Sequence, residues 1–296
     1  MKPLTAEEAQ IRAELRTQIQ MLAGTIGGRS VGKYEGLRAA AEYIEGMLSA
    51  TGLSVNRQTF RSAGREVWNI EAEQRGTAEP NEIVVIGAHY DSAAGLPGAN
   101  DNASGVAAML NIAQRFRTLR PKRTVRWLAF VNEEPPFFQG PEMGSVVYAA
   151  RCKQRNEKVV AMLSLETIGY YSDAPNSQRY PLSIHPGYPN TGNYIGFVSN
   201  PSSVWLLRKC LKSFRHATDF PCEGLAAPAG ITGVGWSDQW SFWQQGYHGL
   251  MVTDTAPFRY PYYHTAEDTP DKIDYDGTAR VVFGLSKIVE DLAADA

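Results

Sequence analysis

Cysteine is scarce in this sequence of 296 residues, which contains only three. Cys152, Cys210 and Cys222 are dispersed and form no CxxC pair, so they offer neither a zinc-finger framework nor a redox motif. We expect buried thiols, while a disulfide between Cys210 and Cys222 stays an alternative for an exported chain. The cysteines therefore point to no particular function.

The sequence also lacks an excess of charge of one sign, since its formal net charge is −2. Acidic and basic residues are mixed along the chain, which leaves no basic face to attract nucleic-acid phosphates or an anionic membrane surface. No apolar run is long enough to span a bilayer, and the N-terminus has no signal-peptide core. We expect no nucleic-acid partner and no membrane-spanning segment. The chain is soluble as written, or periplasmic or secreted if an N-terminal signal has been removed.

Two groups of common enzyme motifs are missing as well. There is no GxSxG nucleophile elbow, and Ser104 in "NASG" lies where the start of a helix would use it as a cap. Walker and dinucleotide-binding fingerprints are absent too. The sequence therefore disfavours a serine hydrolase, a P-loop enzyme and a dinucleotide-dependent enzyme.

What the sequence does contain is an alternation of predicted strands and helices. Apolar residues recur every three or four positions over residues 6–22 and 34–52, which predicts two N-terminal helices. The continuous apolar run from Ile83 to Ile86 predicts a central strand buried on both faces. Strands alternate with helices through the rest of the chain. We therefore expect a three-layer α/β/α fold around a central, largely parallel mixed sheet.

The chain shows no sign of division into separate units. It contains no internal repeat, no low-complexity tract and no long linker. We therefore expect a single domain over residues 1–296. Its helical N-terminal segment, about residues 1–52, is expected to pack on the rest of that domain.

Polar residues collect where the predicted central strands end. His89 and Asp91 follow the first of these strands, Glu133 and Glu134 follow the second, and Glu166 ends the third. In an open α/β sheet, ligands bind in the crevice beyond the carboxyl ends of the strands. Residues that are far apart in the sequence thereby become neighbours.

The residue types at these strand ends suit a divalent metal ion. Imidazole nitrogen and carboxylate oxygen together are typical zinc ligands, and a carboxylate such as Asp101 is able to bridge two ions. In the pair Glu133–Glu134, one carboxylate would ligate metal while the other takes a proton from water. His264 supplies a further imidazole before the last helix. Each feature alone is more often structural, but their joint placement favours a metal site.

Six strings of the sequence together resemble one enzyme family. They are "GAHYDS", "GANDNASG", "FVNEEPPFFQGPEMGS", "SLETIGYYSD", "SDQWSFW" and "YYHTAEDTPD". Their order across residues 30–290 is similar to that in the zinc-dependent exopeptidases of metallopeptidase family 28, which include bacterial leucyl aminopeptidases and, more distantly, glutaminyl cyclases. The resemblance implies one zinc exopeptidase catalytic domain.

The resemblance also implies a role for each polar residue. Two zinc ions would be held by five residues: His89 and Glu166 on one ion, Glu134 and His264 on the other, and Asp101 between them. Glu133 matches the family's general base. Asp91 matches a carboxylate that orients the imidazole of His89. The peptide bond from Asp101 to Asn102 is typically cis in such enzymes.

The activity implied is that of an aminopeptidase. A metal-activated bridging water would attack the N-terminal peptide bond of a peptide, with Glu133 acting first as base and then as acid. A glutaminyl cyclase-like acyltransferase with one zinc ion is the nearest alternative. A catalytically weak peptidase-like binding domain is another, because folds of this kind are also used without catalysis. The oligomeric state is left open.

Three positions depart from the family's pattern. Glu166 stands where many relatives have aspartate, Gln239 where close relatives have histidine after Asp238, and Gly140 where a polar residue is usual. None of the three removes an expected ligand. The aromatic residues of "GYYSD" and "FRYPYYH" are interpreted as pocket lining or packing, with no catalytic role assigned. His185, His216 and His248 match no ligand string, and we interpret them as structural or exposed.

Overall fold

A computed structural model describes residues 2–181 and 187–294, so that His185 lies outside the described residues. Within the described residues, eight strands form one sheet. They are β1 (Ser54–Ser62), β2 (Arg65–Gln74), β3 (Glu79–His89), β4 (Arg123–Phe130), β5 (Lys158–Glu166), β6 (Ile195–Ser199), β7 (Cys222–Ala226) and β8 (Gly249–Thr253).

Helices cover both faces of this sheet. They are α1 (Ala6–Ile19), α2 (Tyr34–Ser49), α3 (Gly105–Phe116), α4 (Gly144–Gln154), α5 (Val204–Ala217), α6 (Gln239–Gln244), α7 (Ala256–Arg259) and α8 (Tyr275–Ala294). The larger apolar core joins one face of the sheet to α1, α2, α3, α5 and α8. A smaller core joins the other face to α4 and α6. The result is the predicted three-layer α/β/α arrangement.

The strand order is β1-β2-β4-β3-β5-β8-β6-β7. The four central strands, β4, β3, β5 and β8, run parallel to one another, whereas β1, β2 and β6 pair antiparallel with their neighbours on the inner side. The prediction of a largely parallel mixed sheet is confirmed. The sequence analysis did not predict β7, because the segment "CEGLA" has neither alternation nor a β-branched residue.

β3 shows why its apolar run is continuous. Val84 and Ile86 point into the larger core, and Ile83 and Val85 point into the smaller one. Successive side chains of a strand face opposite sides of the sheet, so a strand covered on both faces needs apolar residues at every position. The predicted burial of this strand on both faces is confirmed.

Two further sequence-based expectations are resolved by the structure. All three cysteines are free and buried, so the buried-thiol interpretation is confirmed, and Cys210 and Cys222 are not bonded to each other. Among the described residues, none of the helices combines the length and the apolar character needed to cross a membrane.

Candidate metal centre

The parallel strands deliver the predicted polar residues to one edge of the sheet. His89 is the last residue of β3 and Glu166 is the last residue of β5. Glu133 and Glu134 follow β4 after a short turn, and Asp101 lies in the loop between β3 and α3. His264 comes from the segment between α7 and α8. The carboxyl ends of neighbouring parallel strands meet at the same edge, and this brings the six residues together.

Two groups of possible ligand atoms share Asp101. In the first group, the His89 Nε2 atom lies 3.3 Å from Asp101 Oδ1 and 3.3 Å from Glu166 Oε2. In the second group, the His264 Nε2 atom lies 3.0 Å from Asp101 Oδ2 and 3.3 Å from Glu134 Oε2. The two oxygens of Asp101 therefore face different imidazoles. His89, Glu133 and Glu134 form a third group with atoms close enough to hold an ion.

The chemistry of these atoms fits zinc. The His89 Nε2, Asp101 Oδ1 and Glu134 Oε1 atoms are buried and have no hydrogen-bond partner among the described residues. Buried polar atoms are normally paired, so three unpaired ones on residues of the possible ligand groups indicate a missing ligand. Imidazole nitrogen and carboxylate oxygen are the donors that zinc prefers alongside thiolate.

The crowded carboxylates of the centre also favour a bound cation. Burial, reinforced by the charges of Glu166 and Glu134 and opposed by His89, raises the pKa of Glu133 well above its usual value. Burial and the charge of Asp101 raise the pKa of Glu134 to about 7. Burial alone would lower the pKa of His89, but the charges of Glu166 and Glu133 raise it well above its usual value. A bound divalent cation would relieve this crowding of negative charge.

Asp91 lies behind both halves of the centre. The His89 Nδ1 atom lies 3.2 Å from the backbone oxygen of Asp91 and 3.5 Å from its carboxylate. The two carboxylate oxygens accept hydrogen bonds from the backbone N–H groups of Glu133 and Glu134, each at 3.1 Å. Asp91 is thus placed to fix both the imidazole and the turn that carries the paired glutamates.

The loop that carries Asp101 is held by residues that the sequence analysis did not single out. The carboxylate of Asp268 accepts hydrogen bonds from the backbone N–H groups of Asn100, at 2.8 Å, and Asp101, at 3.1 Å. The side-chain amide of Asn102 donates to the backbone oxygen of Leu165 at 2.8 Å, which ties the loop to β5. The peptide bond from Asp101 to Asn102 is cis, as the resemblance implies.

The deepest support of this loop is Arg29, which the sequence analysis also missed. Its side chain is fully buried and donates to the backbone oxygens of Leu22, Gly27, Tyr90, Pro97 and Gly98 at 2.6–3.0 Å. Burial lowers the pKa of Arg29 to about 10, although nearby carboxylates oppose the effect. A single arginine therefore joins the N-terminal segment to the stretch of chain between His89 and Asp101. No local pattern in the sequence distinguishes it from a surface arginine.

We expect that replacing Arg29 by methionine lowers the free energy of unfolding by more than about 3 kcal/mol. The five backbone oxygens would lose their donor, and each buried acceptor left unpaired costs roughly 1–3 kcal/mol. Urea unfolding of the zinc-free proteins measures the difference. Arg12→Met is the matched control, because Arg12 is half-buried and, among the described residues, forms its ion pair with Asp276 alone; it should cost less than about 1 kcal/mol. A similarly small loss for Arg29→Met would contradict this prediction.

The three positions that depart from the family's pattern each take part in a hydrogen bond. Glu166 accepts a hydrogen bond from the hydroxyl of Ser237 at 2.6 Å, which orients its longer side chain. Gln239 is buried and donates to the backbone oxygen of Val234 at 3.1 Å. Gly140 lies in a turn, where its N–H donates to the oxygen of Phe137. Of the three positions, Glu166 belongs to one of the possible metal-ligand groups.

The prediction that the Ser104 side chain caps α3 is wrong. Ser104 precedes α3, but its side chain does not cap the helix. Its hydroxyl instead donates to the backbone oxygen of Asn100 at 2.7 Å and accepts from the N–H of Ile168 at 3.0 Å. The tertiary contact with the Asp101 loop has taken the place of the local helix cap.

A cleft that is partly open to solvent adjoins Glu166. Phe258 and Tyr263 from the second aromatic string line it. Tyr260 instead packs against Tyr170, with ring centroids 4.9 Å apart, and its hydroxyl donates to Asp268. The aromatic strings therefore supply both pocket lining and packing, as predicted.

Sequence comparisons identify relatives of this chain. The profile of peptidase family M28 matches residues 69–289. The chain is 35% identical to the Escherichia coli (strain K12) protein YfbL over 281 residues, covering 92% of this chain and 85% of YfbL. It spans between 27% and 43% of the length of curated relatives named as a leupeptin-inactivating enzyme, zinc metalloproteases and leucine aminopeptidases.

Solved structures share the fold. BSAP, a zinc aminopeptidase from Bacillus subtilis, matches with a TM-score of 0.73 and 15% identity, over 96% of this chain and 95% of that one. A glutaminyl cyclase from Bacteroides thetaiotaomicron matches with a TM-score of 0.70 and 17% identity, over 95% of this chain and 97% of that one. Together with the family profile, these likenesses confirm the resemblance noted in the sequence. The chain belongs to peptidase family M28 and is a metallopeptidase, a hydrolase of peptide bonds.

Proposed function

We propose that this protein is an aminopeptidase that uses two zinc ions, and that residues 1–296 act as one catalytic domain. The observation that carries the proposal is the pair of donor groups that share Asp101. Each group contributes one imidazole and one further carboxylate, so each is able to hold its own ion. A single carboxylate with its oxygens directed to different imidazoles is the arrangement that a bridging ligand requires.

In this proposal, the ligands follow the two groups. His89 and Glu166 would hold one ion, and Glu134 and His264 would hold the other. Asp101 would supply a ligand to each. Asp91 keeps the imidazole of His89 in place through the contacts at its Nδ1 atom. Bound zinc lowers the pKa of water and polarises the carbonyl of the scissile bond.

Glu133 is the residue that we assign to proton transfer. It is 6% exposed, it belongs to neither of the two groups that share Asp101, and its Oε2 atom lies 3.8 Å from the His89 Nε2 atom. Its backbone is fixed by Asp91, so the carboxylate is held next to the ligands without being needed as one. We assign to Glu133 the transfer of a proton from the attacking water to the leaving amine. One side chain thus serves first as base and then as acid.

Digestion of matched peptides tests the proposed function. After zinc saturation and dialysis, we expect about two zinc equivalents per chain. Mass spectrometry should then show stepwise loss of single residues from a peptide with a free N-terminus, and no change in the same peptide with an acetylated N-terminus. Cleavage of the acetylated peptide would argue against an aminopeptidase.

The same measurement separates this activity from the acyl transfer of a glutaminyl cyclase. If the protein were a glutaminyl cyclase, a peptide that begins with glutamine would lose ammonia without releasing an amino acid. The glutaminyl cyclase from Bacteroides thetaiotaomicron shares the fold, so the fold alone does not decide between the two reactions. Loss of ammonia together with a single zinc equivalent would overturn the aminopeptidase proposal.

A further inference from the structure

Glu166 and Glu223 are the two ends of one row of paired residues across the sheet. Glu166 on β5 pairs with Thr253 on β8, Thr253 pairs with Gly196 on β6, and Gly196 pairs with Glu223 on β7. Residues that are directly paired on neighbouring strands point to the same face of the sheet. Three strand spacings separate the ends, so the two backbones lie about 14 Å apart.

The residues between the two glutamates leave this face open. Gly196 has no side chain, and Thr253 has a short one. All four residues of the row line the cleft beside the metal centre. On β7, a side chain at Gly224 would collide with Leu211 of α5, which shows that this position faces the helix. The alternation of the strand therefore directs the neighbouring Glu223 into the cleft.

The described lining of the cleft carries negative charge and no positive charge. Among the described residues that line it, Glu166 and Glu223 are the charged ones, and there is no lysine, arginine or histidine. The Glu223 carboxylate forms no hydrogen bond and no ion pair with any described residue. Arg259 is close to the cleft, but it donates to Gln178 and to the backbone oxygen of Tyr194. Within the described part of the chain, Glu223 is thus a carboxylate without a partner.

Aromatic rings surround Glu223, and their hydroxyl groups are engaged elsewhere. The Tyr188 hydroxyl donates to the backbone oxygen of Gly224 at 2.9 Å, and the hydroxyls of Tyr180 and Tyr194 lie 2.7 Å apart. Burial, followed by the charge of Glu223, raises the pKa of Tyr188, which is consistent with their proximity. Aromatic faces beside an unpaired carboxylate are a suitable environment for an organic cation.

We propose that this cleft receives the side chain of the N-terminal substrate residue, and that Glu223 selects a long cationic side chain, that of lysine or arginine. The proposal rests on the aminopeptidase function proposed above. The two ends of the row are far apart. A substrate residue whose backbone lies at the metal centre therefore cannot reach Glu223 with a short side chain. The aromatic and aliphatic walls accommodate the methylene groups of such a side chain. The carboxylate pairs with the charge at its end.

A different role for Glu223 is that of a charge on an edge strand, since β7 is the last strand of the sheet. Charged residues on edge strands hinder pairing with other chains. That role predicts no dependence of substrate preference on Glu223. The two roles are therefore distinguished by kinetics on matched substrates.

The test compares lysyl- and norleucyl-4-nitroanilide with wild-type protein and Glu223→Gln. Norleucine has an unbranched aliphatic chain without the ammonium group, so the pair isolates the charge. We expect wild type to favour the lysyl substrate in kcat/KM. Glu223→Gln should lower that value about 10- to 100-fold for the lysyl substrate, because a charge-assisted contact is lost, and change the norleucyl value by less than about twofold.

Glu79→Gln is the matched control, because Glu79 is an exposed glutamate at the start of β3, at the opposite end of that strand from His89. It should leave both substrates unaffected. Equal cleavage of the two substrates by wild type, or an unchanged ratio in Glu223→Gln, would overturn the cation site while the aminopeptidase function stands.

A binding measurement separates failure of this inference from failure of the proposed function. Calorimetry with free L-lysine and L-norleucine reports on the cleft without any turnover. If neither nitroanilide is cleaved, the aminopeptidase function fails. Tighter binding of lysine that is lost in Glu223→Gln would still support the cation site, and equal binding of the two amino acids would overturn it.

Discussion

Replacing Glu133 by glutamine is expected to lower kcat by about 10²- to 10⁴-fold, the usual contribution of a general acid–base group. Glutamine has nearly the same shape but cannot accept the proton from water at neutral pH. The backbone of residue 133 would keep its hydrogen bond to Asp91, so the fold should be unchanged. Steady-state kinetics, zinc content by mass spectrometry and urea unfolding together measure the effect.

The neighbouring substitution Glu134→Gln provides a matched control. It places the same change one residue further along, on a side chain that we assign to the metal. We expect Glu134→Gln to lose zinc, whereas Glu133→Gln retains it. His89, Glu133 and Glu134 form the third possible ligand group, so Glu133 could itself be a metal ligand. The zinc content of the two variants decides between that role and the role of base. Near-normal turnover of Glu133→Gln, or loss of its zinc, would remove Glu133 from the role of base.

The second large effect is expected at Asp101. Asp101→Asn retains one carbonyl oxygen but loses the charge and the second oxygen, so it is unable to serve two ions. We expect the zinc content to fall from about two equivalents to one or fewer. We expect kcat/KM to fall more than about 100-fold, because the polarising effect of the paired ions is lost. Metal analysis after dialysis and steady-state kinetics provide the two measurements.

A surface aspartate controls for the general effect of this substitution. Asp173 is exposed and hydrogen-bonds only to Asn193 among the described residues. Asp173→Asn should retain both zinc ions and full activity. Two tightly bound ions in Asp101→Asn would contradict the bridging role, and a mononuclear centre would then have to explain the activity.

Much of the architecture could be predicted because it depends on patterns within single segments. The continuous apolar run of β3 can be satisfied only by burial on both faces, and β3 has that burial. The spacing of apolar residues in the N-terminal helices similarly reports which side of each helix is buried. Segments without such a pattern, such as β7, were missed because their strand conformation depends on pairing with β6.

The residues of the metal centre could be predicted from the sequence, but the residues that hold its loop in place could not. His89 and Glu166 end parallel strands, so sequence patterns place them at the same edge of the sheet. Arg29 and Asp268 hold the loop that carries Asp101 through hydrogen bonds to backbone groups. A hydrogen bond to a distant backbone group leaves no periodic signal around the donor or acceptor. Such supports become visible only when the chain has folded.

The sequence by itself determined the fold class, the family and the residue types that converge on the metal centre. The fold class follows from short-range periodicity. The family and the residue types follow from the six strings and their order along the chain. The tertiary structure alone decided which oxygens of Asp101 face which imidazole. It also placed Glu223 in line with Glu166, through the register of four strands. Register is set by side-chain packing and loop closure between segments that are remote in sequence. For that reason, the charge of the cleft is a property of the assembled sheet and not of any one segment.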